Sequence, residues 1–128
     1  DLMSNSSGSA AAVVVAEDNF LTSHLLVATL AKAGYRAEVG RDGDAVTKLV
    51  RDLHPRVLVI NLNLSRPSGM ELLRTLRPTD SGMRVVAFLA PGQADMKPQA
   101  VALGADVFFE PPFDPAVLIH EVERLMGE

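Results

Sequence analysis

The chain predicts a doubly wound parallel α/β sheet on three observations. Short apolar runs alternate with longer helical patterns from Ala11 onward. Four of the five runs are nearly continuous Val, Leu, Ile, Phe or Ala, as strands must be when helices cover both faces of their sheet. The intervening segments repeat their apolar residues at helical spacing and are bounded by capping residues, Gly and Pro.

Taken in order, the predicted strands are Ala12–Ala16, Arg36–Gly40, Val57–Asn61, Val85–Leu89 and Asp106–Phe109. The second alternates polar and apolar residues through Arg36, Ala37, Glu38 and Val39, which marks it as an edge. The first helix spans Phe20–Ala33, with Leu21, Leu25, Leu26, Ala28 and Leu30 at helical spacing, and stops at Gly34, a natural left-handed cap. The second covers Asp44–Leu53, where Ala45, Val46, Leu49, Val50 and Leu53 form one stripe. Ser68 and Glu71 make a capping box for a third helix running through Leu76. Pro98 is tolerated only in a first turn, so the fourth helix is expected from Met96 to Leu103, before Gly104. The fifth opens on Asp114 as cap and Pro115 as first residue, and continues through Leu118, Ile119, Val122, Leu125 and Met126.

Bulk properties narrow the function classes. At 128 residues, 48% hydrophobic and 22% charged, the chain describes one globular domain with a sizeable core. The net charge of −4, with twelve Lys and Arg scattered along the chain, argues against a nucleic-acid surface, which needs clustered cations. Without cysteine there is neither a disulfide framework nor a thiolate metal site, and a cytoplasmic setting is expected. No apolar run approaches the roughly 20 residues of a membrane span, so no membrane partner is expected. Residues 1–10 are Ser-rich and lack a secretory pattern, and read as a disordered N-terminus or cloning remnant ahead of a domain over 11–128.

Doubly wound sheets place their functional site at the carboxyl ends of the strands. Here that brings together Glu17, Asp18, Asn61, Leu89 and the Glu110-Pro111-Pro112 turn. Asn61 carries a neutral amide, a poor nucleophile, so no catalytic residue and no enzyme activity is expected. The three histidines, His24, His54 and His120, fall on different elements and suggest no ligand set. Met70, Met83, Met96 and Met126 sit beside core-patterned residues as gap fillers.

Several segments together resemble the receiver domain of bacterial response regulators, from Val13 to Met126. They are Val13 to Asn19 with its acidic pair, the Arg41-Asp42-Gly43 turn, Ser68-Gly69 through Leu73, Gly104-Ala105-Asp106 and Pro112-Phe113. The resemblance implies a flavodoxin-like, five-stranded sheet in the order 2-1-3-4-5 flanked by five helices. It places Asn61 where that family carries its phosphoacceptor aspartate, Leu89 where it carries a hydroxyl residue and Pro111 where it carries a lysine. Leucine offers no hydrogen bond and proline no charge, so all three polar functions of a phosphorylation site would be missing. Phe108 would be the switch aromatic. The Mg²⁺ site of the family would be represented by Glu17, Asp18 and Asn63, the last through its main-chain carbonyl, with binding weak or absent because one carboxylate is replaced by an amide.

The acidic pair has a second reading, as a cap that places carboxylates at the positive end of the first helix. Leu89, Phe108 and Phe109 likewise have one as ordinary core. The resemblance implies an atypical receiver that works without aspartyl phosphorylation, docking a signalling protein through its fourth helix, fifth strand and fifth helix. The rival is a sensor gated by a ligand or metal in the same pocket. Glu121 and Glu123 stand on the fifth helix where dimerising regulators of the family carry basic residues, which tells against that mode of pairing. The family's turn also makes Pro111-Pro112 a candidate cis bond.

Overall fold

The computed structural model describes residues 13–79, 82–110, 112 and 114–127. The Ser-rich start, Ala12, Pro111 and with it the Pro111-Pro112 bond lie outside the described residues. Five parallel strands, β1 (Val13–Ala16), β2 (Ala37–Gly40), β3 (Val57–Asn61), β4 (Arg84–Phe88) and β5 (Val107–Phe109), form one sheet in the order β2-β1-β3-β4-β5. Five helices alternate with them: α1 (Phe20–Lys32), α2 (Gly43–Leu53), α3 (Gly69–Thr79), α4 (Lys97–Ala102) and α5 (Pro115–Met126). The expected fold class and strand order are both observed.

Register sorts the apolar side chains onto two faces, because successive strand residues point to opposite sides. Val14, Ala16, Leu58, Ile60, Val85 and Ala87 pack with Val46 and Val50 of α2, Leu72, Leu73 and Leu76 of α3 and Ala100 of α4. On the other face Val13, Val15, Val57, Val59, Val86 and Phe88 meet Leu26 and Leu30 of α1 and Leu118, Val122 and Leu125 of α5. Each of the buried Val, Leu, Ile and Phe side chains among them contributes about 1.5–3 kcal/mol by leaving water, and each alanine about 1 kcal/mol or less. Met70 and Met83 are buried among them.

The element boundaries depart from the sequence reading in small, explicable ways. β2 begins at Ala37 instead of Arg36, and β5 at Val107 instead of Asp106. β4 runs one residue earlier than expected, so Leu89 lies just beyond its end. The β4–β5 ladder closes at Phe88 opposite Phe109, and Leu89 is held instead by its N–H donating to the Phe109 carbonyl at 2.8 Å. α2 starts at Gly43 because Asp42 supplies the cap, its carboxylate accepting from Ala45 N–H at 2.9 Å. α3 continues past Leu76 to Thr79. A short 3₁₀ turn over Ala94–Met96 takes the first residues expected of the fourth helix, and α4 itself covers only Lys97–Ala102. Leu21 and Leu25, which share the helical spacing of α1, turn outward and are 79% and 51% exposed.

Candidate functional site

Three backbone hydrogen bonds extend the sheet one residue past its strands and gather the candidate residues at its carboxyl edge. Glu17 N–H donates to the Gly40 carbonyl at 3.1 Å, Leu62 N–H to Phe88 at 3.1 Å and Leu89 N–H to Phe109 at 2.8 Å. The result is an open cleft of about 350 Å³. The polar residues Glu17, Asp18, Asn61 and Asn63 line it together with Phe88, Leu89, Ala90 and Pro91.

The acidic pair divides in role. Asn19 caps α1, its side-chain oxygen accepting from Thr22 N–H at 2.8 Å, a residue the sequence reading passed over in favour of the two acids before it. A cap must sit immediately before the first helical turn, and only Asn19 does. Asp18 is exposed. Glu17 is 4% exposed and its Oε2 accepts from Asn19 N–H at 3.0 Å.

Asn61 reaches across to that buried carboxylate. Its Nδ2 donates to Oε2 of Glu17 at 3.1 Å and to Oε1 at 3.3 Å, while its Oδ1 accepts from Asn63 N–H at 2.8 Å. The amide thus turns its donor toward Glu17 and its acceptor toward the following loop. A carboxylate buried away from water needs such donors, because desolvation penalises its charge. Burial raises the Glu17 carboxyl above its ordinary 4.5, with the nearby Asp18 adding to the rise, while the Asn19 N–H and the Asn61 amide pull it down.

An elevated carboxyl pKa stabilises the fold at acid pH and withdraws that stability as pH rises through the elevated value. Glu17→Gln removes the buried charge and keeps an oxygen for both donors. The variant is expected to be more stable than the parent at pH 8, where the buried Glu17 carboxylate would be charged. The gain should fade toward pH 4. Urea unfolding in chelator across this range measures it, and a gain that grows toward acid pH would contradict the burial argument.

Asn63 and Gln93 form a contact the sequence does not announce. Asn63 Nδ2 donates to Gln93 Oε1 at 2.9 Å and Gln93 Nε2 returns a bond to Asn63 Oδ1 at 3.1 Å. Gln93 Oε1 also accepts from Ala90 N–H at 2.9 Å. The pair ties the loop after β3 to the loop after β4 at the mouth of the cleft. Thirty residues separate the partners, so no local pattern could have paired them.

The remaining site residues separate by face. Leu89 is 1% exposed and belongs to the same apolar cluster against which Phe108 packs half-buried. Phe109 packs on the opposite face, its ring 5.8 Å from that of Phe88. The Lys97 ammonium stands 5.9 Å from the Phe108 ring centroid, at the outer edge of cation–π range. Pro111 lies outside the described residues.

For a divalent cation the oxygen donors at hand are the Glu17 and Asp18 carboxylates. The Asn61 oxygen is engaged by Asn63 N–H, and its N–H₂ occupies the side of Glu17 that a cation would approach. Mg²⁺ demands near-octahedral oxygen coordination, and this arrangement fits it poorly. Among the described residues no three His, Cys, Asp or Glu side chains converge on one point, and no helix is long and apolar enough to cross a membrane.

Comparison with known proteins agrees with this architecture. Residues 13–123 match the family described as the response regulator receiver domain. Sporulation initiation phosphotransferase F of Bacillus subtilis is 26% identical over 102 residues, 80% of this chain and 82% of that protein. The two-component response regulator PhoP of Pseudomonas aeruginosa is 30% identical over 101 residues, 79% of this chain but 45% of the regulator. The chain therefore spans about half the length of that relative. Among solved structures, NtrX from Brucella abortus superposes with a TM-score of 0.85 at 25% identity, covering 90% of this chain and 26% of NtrX. A CheY-like receiver domain protein from Methanospirillum hungatei gives 0.83 at 17% identity over 90% of this chain and 93% of its own.

Proposed function

The chain belongs to the response regulator receiver family, and from that premise we propose that it acts without aspartyl phosphorylation, as a protein-interaction module of two-component signalling. Its partner surface on this reading is formed by α4, β5 and α5. The observation that carries the proposal is the Asn61 amide, which donates to Glu17 at 3.1 Å at the place where the family's phosphoacceptor is expected. An amide cannot form an acyl phosphate, and its donors satisfy the acid that a cation would otherwise hold. Leu89, buried beside Phe108, offers nothing to follow a phosphoryl group. Pro111 would offer it no positive charge.

A conventional receiver signals by a population shift, in which the phosphoryl group favours one of two surfaces. Without that ligand the built-in bias alone decides which surface is displayed. Phe108 packed against the Leu89 cluster is the arrangement expected of a domain that holds one face toward its partner. The open cleft of about 350 Å³ beside Asp18 favours a second reading, a sensor in which a small neutral or cationic molecule occupies that space.

The test is an amide NMR titration with Mg²⁺ and then with beryllofluoride, a phosphoryl mimic. On the proposed reading the resonances of Phe108, β5 and α5 stay in place at millimolar concentrations of both. Saturable shifts that start at Glu17, Asp18 and Asn61 and spread to α5 would show a working phosphorylation switch and defeat the proposal.

A further inference from the structure

The hydrogen bonds at the mouth of the cleft join into one uninterrupted chain. The Asn61 amide donates to the buried Glu17 carboxylate at 3.1 Å, and its Oδ1 accepts from Asn63 N–H at 2.8 Å. The Asn63 side chain exchanges two bonds with Gln93, at 2.9 and 3.1 Å, and Gln93 Oε1 also accepts from Ala90 N–H at 2.9 Å. The series starts at the residue after β1, passes the end of β3 and finishes in the loop after β4. That loop is itself a tight turn. Gln93 N–H donates to the Ala90 carbonyl at 3.1 Å, with Pro91 in the second position and Gly92 in the third at a φ of 84°, the pattern of a type II turn. The Gln93 carbonyl then accepts from Met96 N–H at 2.9 Å and opens the 3₁₀ turn that leads into α4.

α4 is the element that such a restraint can govern. It has 6 residues, well under the roughly 12–15 at which a helix holds itself in water, and Ala100 is its one buried side chain. Met96 and Leu103 pack half-buried at its two ends. With so little packing of its own, its position follows the segment that precedes it. We propose that the clasp between Asn63 and Gln93 is a built-in strut that holds the loop after β4, and through it α4 and Phe108, in one arrangement. The strut rests on the reading that the domain works without aspartyl phosphorylation, and it is the contact that fixes the displayed face. A phosphoryl group on residue 61, followed by a hydroxyl at residue 89, would tie the ends of β3 and β4 together only while the group is present. Two neutral amides tie the loops after the same two strands without any ligand. Each amide donates to the other, so the pair needs neither a metal nor a counter-charge. Phe108 stands on the receiving side. It packs on the cluster that contains Leu89, the residue before Ala90, and the Lys97 ammonium of the first turn of α4 lies 5.9 Å from its ring centroid.

Amide hydrogen exchange and nitrogen relaxation dispersion on the labelled chain test the strut. Asn63→Ala deletes the clasp and keeps the backbone N–H that Asn61 accepts from, and Asn63 is exposed, so the core does not depend on its side chain. Exchange of the Ala90 and Gln93 amides, slow in the parent, should quicken about fivefold or more, the effect of losing one net hydrogen bond that opposes local opening. Millisecond broadening should appear over residues 93–102 and at Phe108. Val59 and Val86, in the middle of the sheet, should keep their exchange rates to within about twofold and so certify the fold. Gln93→Ala should act alike. Gln93→Glu keeps an oxygen for both Asn63 Nδ2 and Ala90 N–H, and should stay within about twofold of the parent at Ala90. Unchanged exchange and line shapes in Asn63→Ala overturn the inference, as does a loop after β4 that already broadens in the parent. A response that stops at Gln93 and leaves α4 and Phe108 quiet overturns it equally. The reading on which the strut rests is judged apart from it: a parent that answers beryllofluoride defeats that reading, whereas a loop indifferent to Asn63→Ala defeats the strut alone.

Discussion

Replacing Asn61 by Asp should make folding depend on a divalent cation. In the parent chain the Asn61 Nδ2 donates to both carboxylate oxygens of Glu17, at 3.1 and 3.3 Å, and Glu17 is almost wholly buried. Asn61→Asp removes both donations and sets a second carboxylate against the first at hydrogen-bonding distance. Losing a hydrogen bond to a charged group and gaining a buried like-charge contact costs roughly 3 kcal/mol in the absence of metal. A cation between the two acids reverses the sign of that contact, and its binding then stabilises the fold by mass action. Thermal melts in chelator and in millimolar Mg²⁺ should show a depressed Tm for Asn61→Asp that recovers largely with Mg²⁺, while the parent shifts far less. If the variant matches the parent in chelator, the amide does not support Glu17 and the account of the site fails. Restoring the aspartate alone does not restore signalling on this view, because Leu89 still offers no hydroxyl.

Gly69→Ala should be the most damaging small substitution near the site. Gly69 is the first residue of α3, and its N–H donates to the Leu64 carbonyl at 3.1 Å. A Cβ built there would stand 2.6 Å from the Asn61 carbonyl oxygen and the Leu62 Cα, and 2.7 Å from the Leu62 carbonyl carbon. All three are backbone atoms of the strand end that presents Asn61, so none can rotate aside. Relief requires α3 to lift from β3, and a loss of about 3 kcal/mol or more is expected for such overpacking. Gly92→Ala is the matched control. It has open space around its Cβ position and only a positive φ of 84° to oppose it, so a loss near 1 kcal/mol is expected. Urea midpoints of the two variants measure the difference, and equal losses would mean that the close approach of α3 to β3 is not maintained in solution.

Much of the fold could be read along the chain because its signals are local. The continuous apolar runs at Val13–Ala16, Val57–Asn61 and around Val86 can only be strands covered on both faces, and the polar alternation through Glu38 marked β2 as the edge it is. Ser68 and Asp114 announced two helix starts, and both accept the expected N–H groups. Cap assignment was less secure where candidates crowd together. Glu17, Asp18 and Asn19 all suit a helix start by type, and backbone geometry selected Asn19, leaving Glu17 to turn inward. The end of β4 shifted by one residue because ladder pairing with β5, and not composition, decides where a strand stops.

The sequence by itself determined the element order, the parallel sheet and the chemistry available at its carboxyl edge: an acidic pair, an amide and a leucine, with no nucleophile among them. Periodicity and side-chain chemistry are properties of neighbours along the chain, and they survive without knowledge of the third dimension. Only the tertiary structure decided that Asn61 donates to Glu17, that Gln93 clasps Asn63 across thirty residues, and that Leu21 and Leu25 face water while Leu26 and Leu30 fill the core. Each of these depends on which surfaces the sheet leaves uncovered and which loops its strand order brings side by side, and such long-range placement leaves no imprint on local spacing.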